Sequence, residues 1–210
     1  MTIRLDLEKP LCSEAITHVL YLHGFRSSPQ STKARQLAHL FRDSYPQVHW
    51  WCPQLPPSPR AATNLISQGT ADWPKETMAV IGSSLGGFYA TWLAHQYNCK
   101  AILINPAIDP ARDLAKYIGE HSVWHDPNER IYFAPAYIEE LRNLYVDEFK
   151  DPQKVFALIA KGDEVLDWQE MTARYPNCPQ LLLEGSDHGD RKSTRLNSSH
   201  VSESRMPSSA

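Results

Sequence analysis

The stretch VIGSSLGGFYATWLAHQY, residues 80–97, places a turn rich in glycine and serine between an apolar run and a segment of helical character. Glycine and serine are poor helix formers, so a turn built from them needs a reason. Gly82-Ser83-Ser84-Leu85-Gly86 fits the pattern G-x-S-x-G, in which a serine sits on a sharp strand-to-helix turn and the flanking glycines avoid steric clash. The pattern predicts that Ser84 is a nucleophile.

The rest of the chain repeats this alternation of short apolar runs with helical patterns. The predicted strands are Thr17–Leu22, Val48–Cys52, Thr77–Ile81, Ala101–Ile104, Val155–Ala160 and Leu181–Glu184, and the clearest predicted helices are Ser31–Ser44, Pro59–Gln68 and Leu85–Tyr97. Strands that alternate with helices indicate an α/β protein with a mostly parallel sheet of about six strands, covered by helices on both faces.

The segment 109–150 interrupts this rhythm and is predicted to be an insert with mixed helical patches and no obvious strand. It is rich in aromatic residues, namely Tyr117, Trp124, Tyr132, Phe133, Tyr137 and Tyr145. Inserts of this kind often lie above the carboxyl ends of parallel strands, where ligands bind. We expect the aromatic side chains to pack in the core and in this cap, with the lining of an acyl pocket as the lesser alternative.

Composition excludes several classes of partner. The net charge of −3 leaves no basic footprint for nucleic acid, and no stretch reaches the roughly 20 apolar residues of a membrane span. The charged amino terminus does not resemble a signal peptide, which predicts a cytoplasmic protein. The four cysteines, Cys12, Cys52, Cys99 and Cys178, form no CxxC pair, so reduced thiols are expected rather than disulfides or a zinc site.

The carboxyl-terminal residues 190–210 differ in kind from the rest of the chain. They are rich in serine, lack any hydrophobic period and resemble translated sequencing-adapter or vector read-through. We expect a disordered, non-native tail here, and an α/β domain over residues 1–189.

Three other loops that follow predicted strands supply possible partners for Ser84. The carboxyl ends of parallel strands lie at one edge of a sheet, so the loops bearing Phe25, Ser84, Asp163 and His188 can converge there. His188 is the candidate general base, and Asp163 can orient its imidazole and stabilise the cation. The backbone amides of Phe25 and Leu85 are the candidate oxyanion hole.

Four short strings of these loops resemble one known family. They are LHGFRSSP (22–29), PQLP (53–56), GSSLGGFYA (82–90) and GSDH (185–188), and together they resemble the YqiA-like esterases of the α/β-hydrolase superfamily over residues 17–189. The resemblance implies a compact three-layer α/β-hydrolase fold and a carboxylic-ester or thioester hydrolase. It implies Ser84 as nucleophile, His188 as base and Asp163 as acid. Family members continue past this histidine into a helix, whose absence here predicts an exposed apolar patch.

Each proposed residue also has a structural interpretation. Ser84 could be a helix N-cap, and 82–87 could hold a phosphate on its amides, although the lysine of a P-loop is missing. His188 could be an exposed loop residue. Three other carboxylates compete with Asp163, namely Glu164, Asp167 and Asp187.

Other histidines favour structural roles. His23 is expected to be structural rather than catalytic. His121, His125 and Asp126 have only loose metal-ligand spacing, so no metal site is expected.

The mechanism predicted from these residues is acyl transfer to water, with no cofactor or metal. The expected substrate is a small ester of short acyl chains, or a thioester. The alternatives are an acyl-CoA thioesterase or acyltransferase that uses the same triad, and an inactive, truncated protein of the hydrolase fold. The sequence leaves the oligomeric state open.

Overall fold

A six-stranded, all-parallel sheet forms the centre of the protein, in the strand order β2-β1-β3-β4-β7-β8. The computed structural model describes residues 15–124, 126 and 128–185. Its strands are β1 (His18–Leu22), β2 (His49–Trp51), β3 (Met78–Ser84), β4 (Lys100–Pro106), β5 (Gly119–Ser122), β6 (Arg130–Phe133), β7 (Val155–Ala160) and β8 (Gln180–Leu183). Its α-helices are α1 (Thr32–Ser44), α2 (Pro59–Gly69), α3 (Leu85–Tyr97), α4 (Pro110–Asp113), α5 (Ala136–Arg142) and α6 (Trp168–Arg174).

All six predicted strands belong to this sheet, and the three predicted helices are confirmed. Their apolar runs are nearly continuous because a parallel sheet is buried on both faces. In β1, for example, Val19 and Tyr21 pack in one cluster of buried side chains while Leu20 and Leu22 pack in another. Ser31 caps α1, since its hydroxyl accepts a hydrogen bond from the amide of Ala34 at 3.3 Å.

The central helix α3 is buried on most of its surface. Nine of its thirteen residues are buried, which explains why its sequence shows little amphipathic character. It packs against β3, β4 and β1, so its first turn is held rigidly at the carboxyl edge of the sheet. This placement matters for the site, because α3 begins at the residue after Ser84.

The insert contains a β-hairpin that the sequence analysis missed. Strands β5 and β6 pair antiparallel, with Gly119 opposite Phe133 and Ser122 opposite Arg130. The expectation of no strand in 109–150 was therefore wrong. These strands are four residues long and have no alternation of apolar and polar residues, so local pattern does not reveal them. Tertiary contact supplies what local preference lacks, because Phe133 is buried against Phe25 with ring centroids 5.3 Å apart.

One face of the sheet leaves apolar side chains partly exposed. Ile102 pairs with Phe156, and Leu158 pairs with Leu181, which places all four on the same face of β4, β7 and β8. Ile102 is 39% exposed and Leu181 is 38% exposed.

Candidate active site

Ser84 lies at the junction between β3 and α3 in a backbone conformation that few side chains adopt. Its φ of 56° and ψ of −123° are unusual for a residue other than glycine. A strained residue persists only where its surroundings hold it, and the carbonyl of Ser84 accepts a hydrogen bond from the amide of Ala107 at 3.0 Å. Ser84 makes no side-chain cap for α3, which removes the N-cap interpretation of this residue.

Two glycines allow the turn to pack this tightly. A Cβ atom at Gly82 would lie 2.2 Å from the carbonyl oxygen of Gly86, and one at Gly86 would lie 2.0 Å from the carbonyl oxygen of Leu22. Both contacts are with backbone, which cannot move aside as a flexible side chain can. The glycines two residues before and after Ser84 are therefore required by the close approach of β3, α3 and β1.

The loop after β1 passes directly beside the nucleophile candidate. A Cβ atom built on Gly24 would lie 3.2 Å from the Cβ and 3.6 Å from the Oγ of Ser84. Phe25, the next residue, lines the same cavity as Ser84 and Leu85. Leu85 is the first residue of α3, so its amide has no acceptor within the helix. The two residues predicted to form an oxyanion hole thus line the same cavity as Ser84.

His23 has a structural environment. It is 3% exposed, and its Nε2 accepts a hydrogen bond from the amide of Leu55 at 3.1 Å. An accepting Nε2 places the proton of the neutral ring on Nδ1, which lies 3.0 Å from the carbonyl oxygen of Gly24. His23 therefore joins the loop after β1 to the loop before α2.

Asp163 lies on the loop that follows β7. Its Oδ1 accepts hydrogen bonds from the amides of Val165 at 2.9 Å and Leu166 at 2.8 Å. The same two residues line the cavity that contains Ser84, so the loop of Asp163 reaches the site. Its competitor Asp167 has another role, because its carboxylate caps α6 through the amide of Gln169 at 2.8 Å.

Asp187 and His188 lie outside the described residues. Strand β8 ends at Leu183 and pairs with β7, whose carboxyl end leads to Asp163. The proposed base therefore follows the strand next to the one that bears the proposed acid.

Two cavities meet at Ser84. The first, which we call the aromatic cavity, has a volume of about 460 Å³, and its walls include Leu85, Leu114, Tyr117 and Leu166. The second, which we call the hydroxyl cavity, has a volume of about 420 Å³. Its walls include Tyr21, Ser27, Ser31, Thr32, Lys33 and Ser83.

Phe25 and Trp124 border both cavities together with Ser84. Ser84 therefore faces both cavities.

The hairpin holds Trp124 over the site through Arg26. The Nε of Arg26 donates to the carbonyl of Ser122 at 2.6 Å, and its guanidinium lies 4.2 Å from the centroid of the Trp124 ring. The amide of Trp124 in turn donates to the carbonyl of Arg26 at 2.9 Å. Arg26 has a φ of 60°, so this clasp also depends on an uncommon backbone conformation.

The aromatic residues of the insert divide between the two roles considered for them. Phe133 and Tyr137 pack on each other as predicted, with ring centroids 5.4 Å apart. Tyr117 and Trp124 instead line the aromatic cavity, which was the lesser alternative. Arg26 and Lys116 also line it and were missed. The only sequence signal for Arg26 was its own position in the string LHGFRSSP, directly after Phe25.

Burial controls the titration of the groups behind the site. Burial raises the pKa of the Tyr21 phenol, and a hydrogen bond with the Ser83 side chain partly opposes that effect. The Ser83 hydroxyl also accepts a hydrogen bond from the ammonium group of Lys33 at 3.0 Å. The phenol therefore stays neutral at physiological pH. Within residues 15–124, 126 and 128–185, no group of three or more His, Cys, Asp or Glu side chains could hold a metal ion, and no helix is long and apolar enough to span a membrane.

Comparisons with known proteins agree with the fold. Residues 18–197 match the sequence profile of UPF0227, an uncharacterised protein family. A UPF0227 protein from Shewanella woodyi is 24% identical over 172 residues, which cover 76% of this chain and 86% of the relative.

Solved structures with a similar fold include several α/β-hydrolases. Est1E from Butyrivibrio proteoclasticus with bound ferulic acid has a TM-score of 0.66 at 15% identity, covering 92% of this chain and 88% of its own. Mouse alpha/beta hydrolase domain-containing protein 10 has a TM-score of 0.61 at 16% identity, covering 84% of each chain. The predicted α/β-hydrolase fold is thereby confirmed.

Proposed function

Given that this chain belongs to the family UPF0227, which confirms the YqiA-like resemblance, we propose that it is a serine hydrolase that cleaves small carboxylic esters. The observation that carries the proposal is the strained conformation of Ser84, on the turn between a buried parallel strand and a buried helix, where two cavities meet. Proteins of similar fold include the esterase domain of a Rhodothermus marinus protein, which agrees with this reaction class.

The proposed reaction begins with attack of the Ser84 Oγ on the ester carbonyl carbon. His188 takes the hydroxyl proton, and the amides of Phe25 and Leu85 donate hydrogen bonds to the developing oxyanion. His188 then gives the proton to the leaving alcohol. Water attacks the acyl-enzyme by the same route in reverse and releases the acid.

Asp163 has the role of holding the imidazole in one tautomer and stabilising its cation. Its carboxylate is well suited to this role, because hydrogen bonds from the amides of Val165 and Leu166 fix its Oδ1 on the loop. A carboxylate held in one place needs no reorganisation when the histidine becomes charged. No cofactor takes part in the proposed reaction.

The nucleophile is tested independently of the substrate with a fluorophosphonate probe. The probe phosphonylates an activated serine hydroxyl, and intact-mass and peptide mass spectrometry locate the adduct. We expect one adduct, on Ser84, that is absent from Ser84→Ala and retained in the matched variant Ser44→Ala at the end of α1. An adduct that persists in Ser84→Ala would contradict the assignment.

The reaction is tested with 4-nitrophenyl acetate and butyrate beside the thioester of the same acyl group. Hydrolysis that depends on Ser84 and is faster for the oxygen ester supports an esterase. Faster cleavage of the thioester supports the thioesterase alternative. Labelling of Ser84 without hydrolysis of either substrate would point to acyl transfer to an acceptor other than water.

A further inference from the structure

The aromatic cavity combines apolar walls with charged groups near its mouth. Leu85 and Leu114 are each 8% exposed and form part of its wall, and Trp124 at its border is 70% exposed. Three charged side chains also line it, namely Arg26, Asp113 and Lys116. These three side chains carry a net charge of +1, which would serve no purpose in binding a purely apolar substrate.

Two of these charges are already engaged by neighbouring side chains. Arg26 donates from Nε to the carbonyl and from Nη2 to the hydroxyl of Ser122, at 2.6 and 3.1 Å. Asp113 pairs with Arg112 at 2.8 Å, and Arg112 also makes a two-pronged pair with Glu170 at 2.8 and 2.9 Å. These contacts hold the side chains of Arg26 and Asp113 against neighbouring residues in the wall.

Lys116 is different. Its Nζ lies 5.3 Å from the centroid of the Tyr117 ring, and within the described part of the chain it has no hydrogen bond or ion pair. Lys116 is exposed, so its ammonium group can meet an anion at the cavity mouth without the cost of burying a charge.

We propose that the aromatic cavity accepts the side of an ester that ends in a carboxylate, with the apolar part against Leu114 and the ring of Tyr117 and the carboxylate at Lys116. The inference rests on the proposed ester hydrolysis at Ser84. The shared chemistry is an apolar spacer with a terminal anion, which belongs either to the acyl group or to the leaving alcohol. An exposed lysine–carboxylate pair contributes about 0.2–1 kcal/mol, which corresponds to a preference of up to about fivefold.

The experiment compares isosteric substrates that differ only in charge. For the acyl side, the pair is the 4-nitrophenyl monoester of adipic acid and the corresponding adipamate. For the alcohol side, the pair is the butyrate ester of 4-hydroxybenzoate and that of 4-hydroxybenzamide. Values of kcat/KM for each pair are measured with the full chain, with Lys116→Gln and with Lys100→Gln, a control at the opposite end of β4.

We expect the ratio of charged to neutral substrate to be about 1.4-fold to fivefold higher in the unmodified chain than in Lys116→Gln, for one of the two pairs. Lys100→Gln should retain the ratio. The pair that shows the effect identifies which side of the ester occupies the aromatic cavity. Equal ratios in the chain and Lys116→Gln for both pairs would overturn the inference while leaving the esterase proposal intact.

A binding measurement separates this inference from the proposed reaction. Ser84→Ala is titrated by calorimetry with 4-phenylbutyrate and with 4-phenylbutyramide, so no hydrolysis is needed. Tighter binding of the carboxylate that is lost in Ser84→Ala/Lys116→Gln supports the cavity assignment even if no ester is cleaved. Binding of the carboxylate that does not depend on Lys116 overturns it.

Discussion

Adding one methyl group should mainly lower stability at Gly86 and mainly lower activity at Gly24. In Gly86→Ala the new Cβ would lie 2.0 Å from the carbonyl oxygen and 2.5 Å from the carbonyl carbon of Leu22. In Gly24→Ala the nearest atoms are the Cβ of Ser84 at 3.2 Å and the carbonyl oxygen of Ser83 at 3.4 Å. The first contact requires backbone to move by about 1 Å, whereas the second requires a few tenths of an ångström.

The magnitudes follow from these distances. Overpacking that displaces backbone costs about 3 kcal/mol or more, which for a chain of this size lowers Tm by roughly 6–12 °C. Gly24→Ala should lower Tm by less than about 3 °C. It should nonetheless reduce kcat/KM on the order of 100-fold, because its methyl group would lie 3.6 Å from the Ser84 Oγ, where the ester must sit.

The assay measures Tm by calorimetry and kcat/KM with 4-nitrophenyl butyrate on the same preparations. Thr91→Ala in α3 is not a suitable control because its buried hydroxyl hydrogen-bonds to the phenol of Tyr175, so Gln96→Ala on the exposed end of the helix is used. An unchanged Tm in Gly86→Ala would refute the packing argument. An equal loss of Tm in both glycine variants would refute the separation of stability from catalysis.

Three further predictions concern the acid, the sheet and a cysteine. Asp163→Asn keeps the oxygen that accepts hydrogen bonds from the loop amides, so Tm should stay unchanged while kcat falls on the order of 10³-fold or more. The control variant Asp167→Asn should retain full activity. Equal activities of the two variants would disprove the role of Asp163. Leu103→Thr, at a fully buried position, should lower the free energy of unfolding by about 2–4 kcal/mol. Ile102→Thr, on the partly exposed face, should lower it by less than about 1 kcal/mol and should reduce the binding of a hydrophobic dye. Burial raises the pKa of the Cys52 thiol to about 12. At pH 8 its alkylation by iodoacetamide, followed by peptide mass spectrometry, should therefore be on the order of 1,000-fold slower in the folded chain than in the urea-unfolded chain. Similar alkylation rates in the two states would contradict this burial.

The candidate site shows where local pattern was sufficient. The string around Ser84 specifies its own geometry, since only glycine permits the contacts at 82 and 86. The short apolar run before it forms the buried strand β3, as predicted. The position of Phe25 and Asp163 followed from a rule about parallel sheets rather than from either residue alone. Each follows a strand, so each reaches the same edge.

Local pattern failed in the insert, where contacts between distant segments decide the structure. Strands β5 and β6 have four residues each, and a hairpin of this size is marginal without a partner. The partner is the loop after β1, about a hundred residues earlier in sequence, through the contacts of Phe25 with Phe133 and of Arg26 with Ser122. No window of sequence contains both sides of these contacts.

The sequence by itself determined the parallel sheet, the turn at Ser84 and the loops that surround it, because buried strands and tight turns restrict residue type within a few positions. Only the tertiary structure decided that Trp124 borders both cavities, that Lys116 stands at the mouth of one, and that Arg26 clasps the hairpin over the site. The physical reason is that cavities form between elements. Their walls come from side chains whose neighbours are set by packing and not by the residues beside them in the chain.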